Sequence, residues 1–147
     1  MKNFKILAFA LLLLVAFTGC EKKPQGGEAS VLAGEWKLVS WNEAEPVAQV
    51  YIAFTSAGTF EMYQQVYTLN YEYYSGDFKV SGDIVTGTYA DGSNWACGYK
   101  FKVEGSQLML YSQEDVSIAS VYEKCSIPEE IKTEATTTRS GDVVPFL

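Results

Sequence analysis

Histidine is missing from this chain altogether. Its absence removes the commonest general base at neutral pH, the Ser-His-Asp and Cys-His arrangements, and histidine-containing zinc sites. Basic side chains are scarce: 11 Lys plus Arg stand against 18 Asp plus Glu, for a net charge of −7. Phosphate backbones repel such a chain, so nucleic acid is excluded as a partner. Anionic membrane surfaces hold it no better, so any membrane contact needs an anchor. Proline is rare, with 4 in 147 residues. No Gly-rich phosphate loop follows a strand and opens a helix. Paired carboxylates are the remaining catalytic option, but Glu35, Glu61, Glu72, Asp77, Asp83 and Asp91 read as solvated strand and turn positions. The expectation is a chain that is not an enzyme and takes no metal or cofactor.

Long apolar runs are also lacking. The longest, Ile6 to Phe17, has 12 residues, where a bilayer-spanning helix takes about 20. Lys2 and Lys5 precede it, and Phe17-Thr18-Gly19-Cys20 closes it. A basic start, a short apolar run and small residues before a cysteine make a signal peptide over 1–19. The closing four residues resemble the lipobox of bacterial lipoproteins, with Phe17 where Leu is usual. That resemblance implies lipid on Cys20, whose buried acyl chains anchor the protein to a membrane. Loss of Lys2 and Lys5 leaves 9 basic against 18 acidic side chains. Glu21-Lys22-Lys23 is not the acidic run that some surface-exported lipoproteins carry. The expected location is the outer membrane facing the periplasm, with the cell surface as the alternative. Cys97 and Cys125 remain, an even pair in an oxidising compartment. They are either a disulfide or two separate buried thiols.

What the chain has in quantity is aromatic residues, 14 %, with ten Tyr, and these favour strands. Residues 20–32 read as lipidated Cys and tether. From Gly34 the hydrophobic period is two, not 3.6. The strands predicted are Gly34–Trp41, Val47–Thr55, Thr59–Gln65, Tyr71–Val80, Ile84–Ala90, Trp95–Glu104, Gln107–Ser112 and Val116–Cys125. Gly76 within the fourth suggests a bulge. Eight strands without a crossover helix exclude a parallel sheet. They fit an all-β, antiparallel up-and-down barrel over 33–126, with a two-sheet sandwich as the alternative. Over 127–147, Pro128 starts a short helix with Glu129 and Glu130 at its positive end. Residues 133–142 read as mobile, and Val143–Leu147 as a frayed tail rather than one docked on the barrel.

Gly34-Glu35-Trp36-Lys37-Leu38 is similar to the Gly-x-Trp opening of lipocalin-like domains. Ser81 to Tyr89 with Asp91-Gly92, and the closing Val121-Tyr122-Glu123-Lys124, resemble small lipocalin-like lipoproteins of Bacteroides-type bacteria. The resemblance covers Gly34 to Lys124. It implies a barrel open at one end, closed at the other by Gly34 and Trp36 under a basic residue, here Lys124 where Arg is usual. It also implies a small hydrophobic or amphipathic ligand. Trp95, Tyr99, Phe101, Phe54 and Phe60 are the candidate inward aromatics, for ligand contact or for filling the lumen. Tyr71 and Tyr73 share one sheet face and are candidates for ligand or partner contact. The competing reading is a structural or protein-interaction lipoprotein, including an inhibitor of secreted enzymes, with a side-chain-filled barrel and an envelope protein as its partner.

Overall fold

The computed structural model describes residues 26–147. The expected leader (1–19), Cys20 and the first part of the tether lie outside them. Eight antiparallel strands form the body: β1 (Gly34–Trp41), β2 (Gln49–Phe54), β3 (Thr59–Gln65), β4 (Glu72–Ser81), β5 (Ile84–Tyr89), β6 (Tyr99–Glu104), β7 (Gln107–Ser112) and β8 (Ala119–Lys124). Each pairs with its neighbours in sequence, and β1 pairs with β8, so the sheet closes on itself. Closure leaves the body of the sheet without an unpaired border. A single turn of helix, α1 (Gly26–Ala29), precedes the barrel. The helix α2 (Glu129–Glu134) and a two-residue strand, β9 (Thr136–Thr137), follow it.

Alternation decides which residues face inward. Trp36 and Leu38, then Val50, Ile52 and Phe54, then Phe60 and Met62, enter the core from three successive strands. Tyr74, Phe78, Val85, Tyr89, Leu108, Leu110 and Tyr122 complete the lining. Aromatic edges meet across the lumen: Phe54 lies 4.9 Å from Phe78, Phe60 lies 5.1 Å from Trp95, and Tyr74 lies 5.8 Å from Tyr89. These tilted and edge-on pairs are the favoured ring geometries. The interior is therefore a packed core.

The structure corrects several expectations. The sixth strand starts at Tyr99, not Trp95. The β5–β6 ladder holds only Ile84↔Lys100 and Val85↔Tyr99. Beyond it, the Trp95 ring folds over Gly87, and the Trp95 backbone N–H donates to Gly87 O at 3.0 Å. Only glycine leaves room there, since a Cβ on residue 87 would sit 2.1 Å from the indole. Gly76 makes no bulge; it pairs with both Phe60 and Tyr89, and a Cβ there would sit 2.0 Å from Thr88 O. Close approach of backbones is its role. The register shift lies instead in β1, between Leu38 and Ser40. The tether does not stay unpacked to residue 32, because Ala29 and Leu32 are buried against the core. Nor is 133–142 free: β9 runs parallel to the start of β4, and Ser140 bonds to Asp91.

Candidate functional site

The two ends of the barrel differ. At one end Trp36 is buried and donates its indole N–H to Leu32 O at 2.9 Å. Lys124, its register partner on β8, places Nζ 5.6 Å from the ring centre. A cation over an indole face is attracted by the ring quadrupole. Gly34, at φ +144°, lets Lys124 lie across: a Cβ there would stand 3.1 Å from its Cε. Gly34, Trp36 and Lys124 are thus brought together, and Ala29 and Leu32 pack onto the same end.

The other end is the mouth, and an apolar segment enters it. Val143–Leu147 was expected to fray; the structure docks it. The inward face of β3 runs Phe60, Met62, Gln64, ending in a buried amide among apolar groups. Gln64 donates from Nε2 to Val144 O at 3.0 Å and accepts from Phe146 N at 2.8 Å. Tyr74 donates to Val143 O at 2.9 Å, and Tyr89 donates to Leu147 O at 2.6 Å. Leu147 is only 2 % exposed and belongs to the barrel core. The Phe146 ring meets the edge of Trp41 at 5.6 Å. The physical reason for docking is satisfaction of buried polar groups. An unpaired buried amide costs about 1–3 kcal/mol, and the segment supplies Gln64 with a donor and an acceptor.

Electrostatics keep these groups as donors. Burial first, and then the charge of Glu72, pushes the Tyr74 phenol up to about 12. Burial likewise raises that of Tyr89 well above its ordinary value. Glu72 sits beside Gln64 in register and is 5 % exposed. Its Oε1 accepts from Thr68 Oγ1 at 2.8 Å, while Oε2 has no hydrogen-bond partner. Outside, a groove of about 430 Å³ between the start of β4, the end of β5 and residues 137–139 reaches Tyr74 and Tyr89, with Arg139 on its wall.

Trp95, Tyr99 and Phe101 are brought into or against the core: Trp95 and Tyr99 are buried, and Phe101 packs half-buried on it. They do not line the mouth segment's polar clamp. Tyr71 and Tyr73 lie on the outer face of the sheet, in ring contact with Tyr51 (6.3 Å) and Tyr63 (5.2 Å) respectively. Tyr71 donates to Gln49 and Tyr73 to Glu61. Ile127 and Ile131, flanking and within α2, pack into this patch. Glu35 secures α2 by accepting from Lys132 Nζ at 2.7 Å and Ile127 N at 2.8 Å. Burial opposes its ionisation, but those bonds hold its carboxyl below the ordinary value. Among the described residues the cysteines are free thiols, so the disulfide alternative is corrected. Cys97 packs against the inner core, its Sγ 3.3 Å from Ser112 Oγ, and Cys125 packs with the outer tyrosine patch. The sheet separates them.

Sequence reasoning missed Gln64, Tyr74 and Tyr89, and its reading of Glu72 as a solvated carboxylate is corrected, since inward alternation on β4 buries it. A signal existed: the period-two pattern that places Phe60 and Met62 inward also places Gln64 inward, a polar side chain on an apolar face. The description "lipocalin-like domain" matches residues 32–110, more than half of the chain. The chain belongs to the lipocalin-like family. Among solved structures, an uncharacterized protein from Bacteroides eggerthii shares 15 % identity with this lipocalin-like domain, at a TM-score of 0.50. The match covers 64 % of this chain and 99 % of that one, and shows the likeness of fold. A comparison with curated proteins gives no match.

Proposed function

We propose that this lipocalin-like protein is a membrane-anchored binding module, held by lipid on Cys20 and taking a small hydrophobic or amphipathic ligand at the barrel mouth. One observation carries the reading. Inward polar groups at Gln64, Tyr74 and Tyr89 clamp an apolar chain whose tip, Leu147, is buried in the core. An apolar floor with a few converging polar groups is how small-ligand sites fix orientation. The reading includes an outer-membrane location facing the periplasm, with the cell surface as the alternative.

Thermal denaturation of the purified protein with palmitate, a sterol or a bile acid tests it. A concentration-dependent rise in Tm with at least one of them is expected, because a ligand that binds only the folded state stabilises it. No rise with any of them removes the small-ligand reading. Metabolic labelling with a palmitate analogue tests the anchor: the native chain takes label into the membrane fraction, and Cys20→Ala takes none. Label retained by Cys20→Ala removes the lipidation reading. The packed lumen favours a second reading, a protein-interaction lipoprotein whose barrel is a scaffold. Absence of any ligand shift favours that one.

A further inference from the structure

We propose that the barrel mouth is a recognition site for an extended apolar peptide, and that Val143–Leu147 occupies it in cis until a partner's segment displaces it. This rests on the binding-module reading and names the chemistry of the ligand. All four hydrogen bonds from barrel side chains to the segment reach main-chain atoms: Val143 O, Val144 O, Phe146 N and Leu147 O. Side chains of the barrel therefore read a peptide backbone, not a particular sequence. The Gln64 amide spans residues 144 to 146 and skips Pro145, whose missing N–H is not called upon. Proline also holds residue 144 extended, which suits the clamp. Selectivity falls to two bulky apolar positions, one against Trp41 and one inside the core.

Three features make the occupant exchangeable. No strand of the barrel pairs with residues 143–147. The preceding stretch holds on at the surface, where Ser140 donates from N and Oγ to Asp91 Oδ2 at 2.9 and 2.7 Å. The cis segment also leaves Glu72 Oε2 buried without a partner. An incoming peptide with a further N–H satisfies that carboxylate, which gives a trans ligand an advantage that the cis segment lacks. An emptied mouth strands Gln64, Tyr74 and Tyr89, so exchange rather than vacancy is the working state.

The test uses the full chain and a fluorescein-labelled peptide with the sequence of residues 140–147, followed by anisotropy. Phe146→Ala and Leu147→Ala chains, shown folded by circular dichroism, weaken the cis occupant. They are expected to bind the peptide about ten-fold tighter than the native chain, since less of the site is held in the closed population. Gln64→Leu added to either variant should abolish that gain, and a peptide with Ala in place of both Phe146 and Leu147 should not bind. Equal binding by all folded chains overturns the proposal. If the variants do not fold, native-state hydrogen exchange of the unmodified chain decides. Excess 140–147 peptide should speed exchange of the chain's own Phe146 amide, which Gln64 protects while the segment is docked, and leave the β7 and β8 amides unchanged; a Phe146 rate that added peptide does not change overturns the proposal. A palmitate or sterol shift without peptide exchange leaves the binding-module reading standing and removes only this one.

Discussion

Two residues show how a single side chain sets the barrel's cross-section. Trp95 spans a gap that the short β5–β6 ladder leaves open, and Gly87 gives it the space. Adding one methyl at residue 87 forces the indole out of a core where Phe54, Phe60 and Tyr99 all meet it. Overpacking of that kind destabilises by about 1–3 kcal/mol. Gly87→Ala should therefore lower the urea midpoint clearly. Gly141→Ala, where a new Cβ meets nothing within 4 Å, should stay within about 0.5 kcal/mol of the native chain. Equal midpoints for the two variants would show that Trp95 does not depend on the space at Gly87. Tyr71 and Tyr73 make the opposite case. They stand together on one face as their spacing requires, but α2 half-covers them, so cross-strand packing accounts for them.

At the scale of elements, the link between the 91–94 turn and the stretch leading from β9 to the mouth is the point of control. Asp91 Oδ1 accepts from Ser93, and Oδ2 from Ser140. Those bonds, Ser93 first and Ser140 after it, hold the Asp91 carboxyl far below its ordinary value of 3.8. A depressed carboxyl contributes attachment that is present above the ordinary value and lost as pH falls through the lowered one. The docking of 143–147 should thus be insensitive to Asp91 at neutral and mildly acidic pH. It should weaken only below about pH 4, and Asp91→Asn should remove the acid-dependent component. Opening of the Phe146 amide, measured by hydrogen exchange and corrected for intrinsic rates, reports it. An opening rate in Asp91→Asn with the same acid dependence as the native chain would refute the link.

For the molecule as a whole, the tyrosines set the alkaline limit. Burial raises Tyr89, Tyr99 and Tyr122 well above the ordinary 10.0, and Tyr74 to about 12. A raised phenol contributes stability that is complete below its unfolded value and lost as pH rises through the folded one. The barrel should therefore hold to about pH 10 and then open in one cooperative step, with tyrosinate absorbance and circular dichroism changing together. Buried phenols that ionise gradually while the dichroism stays native would contradict this packing. The acidic surface and packed lumen leave the mouth as the place where the lipocalin-like fold meets an apolar chain.

Much of the barrel was legible from alternation alone, because every second residue of a half-buried strand must be apolar. That rule placed Trp36, Phe54, Phe60 and Tyr99 inside and located most strands to within a few residues. The pairing of Trp36 with Lys124 was legible only through a family resemblance. Alternation is a local rule, and it says nothing of which groups meet from distant parts of the chain. Gln64 and Phe146 are separated by 82 positions, and only closure of the barrel brings the buried amide and the apolar segment together. The same holds for the thiols of Cys97 and Cys125, parted by a sheet whose two sides no spacing in the chain reveals. Sequence thus determined the wall, by periodicity; the tertiary structure decided what fills the mouth, because a buried polar group takes whatever partner the closed fold delivers.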